Sequence, residues 1–247
     1  MKFQQAKKLP NLILFAALTA ITTILICYLL CDYYGHYPKH YMWLPVISLT
    51  GYKAPEYYVY VVGFCTTGII FIYGAYHIHF TFFKMTNIFT QTQLYKLFAL
   101  LLSGIICFMI HAIIPLQDDF LKTKNYTIGC QLHLSCAGIF FFLVILHTLY
   151  VFSIFQKKEN VFDYFDRRAL KIRSVSAVIS SIGAVIALGV KPAIRTLIGD
   201  VAIHLGSVIA VAQWTLVGSI IVIFTSYCMD IQKMLPKLHE MEMKKKE

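Results

Sequence analysis

Four side chains of this 247-residue chain could act together: His111, His133, His204 and Glu56. Each lies near the same end of a long apolar run, so at ~1.5 Å of rise per residue the three imidazoles share a layer within ~10 Å of a membrane interface. Ionisable residues at membrane depth face the bundle interior or a wet cavity and are functional candidates by default. Together they predict a polar cup on the non-cytosolic side, with Gln131, Asp118, Asp119 and Asp200 near the same level. The competing reading gives each histidine a backbone carbonyl, or a place in the interface beside the tyrosines. In the third run Ser103, Cys107 and His111 recur every four residues, a polar stripe that turns His111 inward.

Three histidines and a carboxylate would suit zinc. A helical His-x-x-x-His pair is missing, and His77 and His79 diverge, so no metal is expected. Haem is a further possibility, because His133 and His147 share one run at a spacing that would place two haems on one face, and His77 or His79 could meet His147. A dihaem site wants a matching pair on a second helix, which this sequence lacks. Walker, G-x-S-x-G, Cys-x-x-Cys and His-Glu-x-x-His motifs are absent as well. No nucleophile and base can be paired, so no catalytic residue is assigned.

The elements that must hold these side chains are apolar helices. With 58% hydrophobic and 14% charged residues, the sequence contains runs of about the 20 residues that cross a hydrocarbon core. Six spans are predicted at about 11–31, 57–83, 94–115, 128–155, 170–190 and 201–228, one all-α transmembrane domain over 1–230 followed by a basic tail over 231–247. The prolines fall outside or at the edges of these spans. A net charge of +10 would suit nucleic acid, but the basic residues cap the spans instead of forming a patch, and nucleic acid is excluded as a partner. Only Lys39, Lys53, Lys122, Lys124, Lys191 and Arg195 fall opposite the N-terminus, which puts both termini in the cytosol. Lys2, Lys7 and Lys8 before the first run resemble a signal peptide, but no small-residue cleavage site follows, so the run is read as a retained helix.

Asn125-Tyr126-Thr127 is a sequon on the predicted outer side, very close to the fourth span. The seven cysteines read as small packing residues, although Cys31 and Cys130, both at the outer edge, could form a disulfide in an oxidising lumen. The fifth span carries small residues every fourth position (Ser176, Ser180, Ala184; Ala177, Ser181), as do Gly206 and Ala210 in the sixth. Such stripes allow close helix packing in lipid. His204 and Gln213 lie nine residues apart, on opposite faces of one helix, so they cannot share a cavity. Gln213 is expected to bond a neighbouring helix, with Trp214 and Arg173 as further interhelical polar residues.

Between the first two spans runs Trp43 to Glu56, WLPVISLTGYKAPE. Pro45, Gly51 and Pro55 break helix here, Pro55 suits a first helical position, and Glu56 suits the positive end of the helix that follows. The segment is predicted to fold back over the bundle. Its pattern L-P-x-I-S-x-x-G-x-x-x-P-E, with Ile47 and Ser48 inside it, resembles the signature loop of the Frag–DRAM–Sfk family of six-pass membrane proteins. The histidine-bearing fourth span, Arg173 and Ser174 ahead of Ala177 and Val178, and the sixth span from Ile203 extend the resemblance over nearly the whole chain. Gln213 departs from it, standing where the family more usually has glutamate.

That family includes damage-regulated autophagy modulators, proteins that remodel the lipid of GPI anchors, and scaffolds that recruit a phosphatidylinositol kinase. The resemblance implies a six-helix endomembrane protein of the endoplasmic reticulum, Golgi or lysosome, or of the plasma membrane. The loop is nearer to the modulator branch, which implies a non-enzymatic protein binding membrane lipid or a membrane-protein partner at the outer cup. Remodelling of a GPI-linked lipid is the alternative, and a b-type haem redox protein a second one. Lys244 and Lys245 resemble a dilysine retrieval address, the competing reading being a solvated basic tail near anionic lipid.

Overall fold

A computed structural model of the chain describes residues 3–36, 43–116, 127–194 and 200–244, with side chains in all but 188–194 and 200–203. Asn125, Lys245, Asp118 and Asp119 lie outside the described residues, as does the side chain of Asp200.

Among the described residues, seven α-helices form an all-α bundle: α1 Phe3–Tyr33, α2 Glu56–His77, α3 Gln91–Ile113, α4 Ile128–Phe155, the short α5 Val161–Tyr164, α6 Arg167–Ile194 and α7 Asp200–Met243. All but α5 are long and apolar enough to cross a membrane, matching the six predicted spans. The helices outrun the spans where polar turns continue them past the apolar stretch. Pro10 and Pro236 therefore lie inside α1 and α7, although every proline was expected at or beyond a span edge. The residues read as a basic tail are helical as far as Met243, and Met234 and Leu238 among them are buried in the core. Lys244 follows that helix in a turn, exposed. The start of α1 meets the end of α7 at one end of the bundle, where Phe3 N–H donates to Glu242 Oε1 at 2.8 Å.

Local chemistry sets the helix starts. Thr90 and Gln93 form a reciprocal capping box on α3, and Thr127 of the sequon accepts from Cys130 N–H to cap α4. α2 ends in a π-helical turn, Ile78–Phe83, which projects His79 into the core. The main core joins α1, α2, α3, α4 and α7 through residues such as Ile13, Phe71, Leu97, Val144 and Phe224.

α6 packs chiefly on α7. The small-residue stripes explain part of this. A Cβ on Gly183 would lie 3.0 Å from the Ala212 carbonyl oxygen, and Ala177, Ser180 and Ala210 are buried. Ser181 and Ala184 belong to the same stripes but line an open space between α6 and α4.

Candidate functional site

The loop residues Val46 to Gly51 are buried, and Ile47–Gly51 coil into a short 3-10 turn that docks on α7. Each contact uses a polar group that the turn leaves unpaired. Ile47 N–H donates to Gln213 Oε1 at 2.7 Å, Gln213 Nε2 donates to Ser48 Oγ at 3.4 Å, and Trp214 Nε1 donates to the Pro45 carbonyl at 2.9 Å. The interhelical bond expected of Gln213 is therefore replaced by bonds to the loop, whose free backbone is the needier partner. Gly51 is required by contact: a Cβ there would fall 2.2 Å from the Tyr60 ring. Pro55 precedes α2 as its cap, and Glu56 opens the helix.

The predicted cup divides. His111 and His133 come together, ring centroids 5.0 Å apart, on facing turns of α3 and α4. His111 Nδ1 donates to the Phe108 carbonyl, so its Nε2 accepts from Tyr60 O–H at 3.2 Å. Ser48 lines the same small cavity as Tyr60 and His111. α2 and α3 are thus joined by the Tyr60–His111 hydrogen bond. His133 Nδ1 donates to the Ile114 carbonyl at 2.6 Å.

His204 does not join them. It is exposed, because the opposite face of α7, carrying Ala210 and Gln213, is the one packed inward. Glu56 is buried but turns to His36, whose Nδ1 lies 2.7 Å from Oε1, while Oε2 has no partner among the described residues. Sequence reasoning overlooked His36. The available signal was that the residues closing α1 and opening α2 must lie close if the loop folds back. Ser103 is exposed and Cys107 half-buried, since a four-residue repeat drifts around a helix of 3.6 residues per turn, so no continuous stripe leads to His111. Cys31 and Cys130 enter one small apolar cluster as buried thiols and are not bridged.

Beneath the loop lies a chamber of about 330 Å³ between α4, α6 and α7. Ser48 and Gln213 stand at its head, Leu134, Phe141 and Leu216 line it, and Ser181 and Ala184 form the α6 wall. A smaller cavity of about 40 Å³, lined by Tyr60 and His111, shares Ser48 and Gln213 with it. The lining residues carry no charge. Phe142, on its wall, is 63% exposed, so the chamber reaches the flank of the bundle that a bilayer would cover. Such a space suits an apolar chain with a small polar group at one end, and its volume falls in the range of about 300–1,000 Å³ seen for ligand sites.

At the end where α1 starts and α7 ends, Arg173 is fully buried. It donates to Asp230 at 2.6 Å and to Ser226 at 3.0 Å and stacks 3.7 Å over the Tyr227 ring, so it does join α6 to α7. Nearby, His79 and His147 hydrogen-bond directly, Nε2 to Nε2, at 3.0 Å. His79 Nδ1 donates to the Ala75 carbonyl, so the proton between the rings belongs to His147. A metal held between two imidazoles would spread these nitrogens to ~4 Å, two bonds of ~2.0 Å. His111 has both nitrogens engaged. His147 and His133, whose spacing suggested haem, thus bond His79 and the Ile114 carbonyl respectively.

Fold and chamber define a polytopic helical membrane protein with an internal apolar site roofed by its first loop. The chain belongs to the family described as Frag1/DRAM/Sfk1/Cwh43P N-terminal domain, whose model matches residues 9–234. No curated relative and no solved structure matches it.

Proposed function

We propose that this protein is a non-enzymatic endomembrane lipid-binding protein of the autophagy-modulator type, with both termini cytosolic and the loop on the extracytosolic side. The observation that carries the reading is the uncharged chamber beneath the docked loop. It lies at membrane depth, reaches the bilayer flank and, among the described residues, has polar side chains at its head and on its α6 wall. A lipid tail would fill the space, and the loop would report its presence through Gln213 and Ser48. The roof is also the surface from which a membrane-protein partner would read occupancy.

Native mass spectrometry of the full chain, released from mild detergent, tests this. The wild type should retain one lipid per chain. Ala184→Phe, which fills the chamber from α6, should lose it while keeping its helical circular dichroism. Equal lipid retention by both would refute the reading.

The Tyr60–His111 hydrogen bond favours a second reading, remodelling of a GPI-linked lipid, because Ser48 places a hydroxyl of the lipid-sized chamber in the same small cavity as that imidazole. Ser48→Ala would then deplete GPI-anchored proteins from the cell surface at unchanged protein level. An unchanged surface pool would leave the binding reading alone.

A further inference from the structure

The chemistry of the chamber wall narrows what it takes, given the lipid-binding reading on which this inference rests. Gln213 uses Oε1 on the loop, while its nitrogen, which carries two protons, makes a single long contact of 3.4 Å to Ser48 among the described residues. One N–H therefore remains to be offered to an acceptor. On the α6 wall Ser181 donates its proton to the Ala177 carbonyl at 2.9 Å, which leaves its oxygen lone pairs as acceptors. With Ser48 beside Gln213, the lining presents amide and hydroxyl groups but no cation. A phosphate in such a place would be a buried charge without a partner, an arrangement that costs several kcal/mol. A hydroxyl, donor and acceptor at once, can use either group.

We infer that the chamber selects a neutral lipid whose head carries a hydroxyl and no phosphate, the chemistry shared by sterols and diacylglycerols. Gln213 and Ser181 are the residues that read the head. The polar pair explains why α6 places a serine, otherwise idle in lipid, on the wall, and why the α7 residue is an amide instead of a carboxylate. A glutamate at that position could still accept from Ile47 N–H, but it would have no N–H to offer the head and would leave a charge beside the tail.

Photoactivatable, alkyne-tagged probes tested on the full chain in nanodiscs decide the matter: a sterol, a diacylglycerol and a phosphatidylcholine with matched tails. The sterol or the diacylglycerol, whichever is the source of the hydroxyl, should label peptides from α4 and α6 at least about fivefold more than phosphatidylcholine, the value of one net hydrogen bond. Ser181→Ala should lower that labelling by about the same factor, while Ser181→Thr, which keeps the hydroxyl, should restore it. Ala184→Phe is the blocked control. Equal labelling by phosphatidylcholine, or neutral labelling indifferent to Ser181→Ala, would overturn the selection for a hydroxyl while leaving a lipid chamber in place. If no probe labels these helices, the lipid-binding reading itself falls.

Discussion

Single residues carry two kinds of demand in this protein. Arg173 and Asp230 form an ion pair with essentially no exposure, and breaking such a pair strands a charge, at a cost of about 3–5 kcal/mol. Arg173→Ala should therefore lower the thermal midpoint of the detergent-solubilised protein sharply. Arg173→Met combined with Asp230→Leu, which removes both charges, should be milder than either single change, and a double variant worse than both would contradict the account. His111 and His133 were legible as level with one another, because depth follows from position within a span. The outward turn of His204 was not, since depth says nothing of azimuth, and the face of α7 is chosen by Ala210 and Gln213. His36 escaped notice because it lies beyond the apolar run, and only the returning loop brings it to Glu56.

Among the elements, the loop is the one whose position the sequence announced most clearly. Pro45, Gly51 and Pro55 fix where it bends, and its apolar residues require a buried face. What it binds could not be read, because backbone donors such as Ile47 N–H leave no mark in a sequence. Gly51→Ala should push the loop off Tyr60, so hydrogen exchange over residues 43–56 should rise well above that of the wild type, with α3 and α4 unchanged. Unaltered protection would mean that the loop is held some other way. Close packing makes a similar demand of α6. Gly183→Leu meets Ala212 backbone and should separate α6 from α7, seen as a lowered melting temperature and faster exchange in both helices. The stripes were recognisable as small residues. That Ser181 and Ala184 face a gap was not, because the gap depends on how little α4 and α6 touch.

For the whole molecule, the six-helix architecture was available from apolar length and from the charges that cap it. The family model extends that reading over most of the chain. The chamber was invisible beforehand, since a void is a property of several helices together. The meeting of Phe3 with Glu242 predicts that tags on the two termini are equally protected, or equally digested, in sealed microsomes. Tags reporting opposite sides would break the bundle as described.

The claim on which everything turns is that the uncharged space beneath the docked loop holds lipid. A density map of the full chain in lipid nanodiscs addresses it directly. An elongated density should run from Gln213 and Ser48 down between α4 and α6 to Phe142, and it should vanish in Ala184→Phe. A map in which those helices close together, or in which lipid is confined to the outer belt, would contradict it.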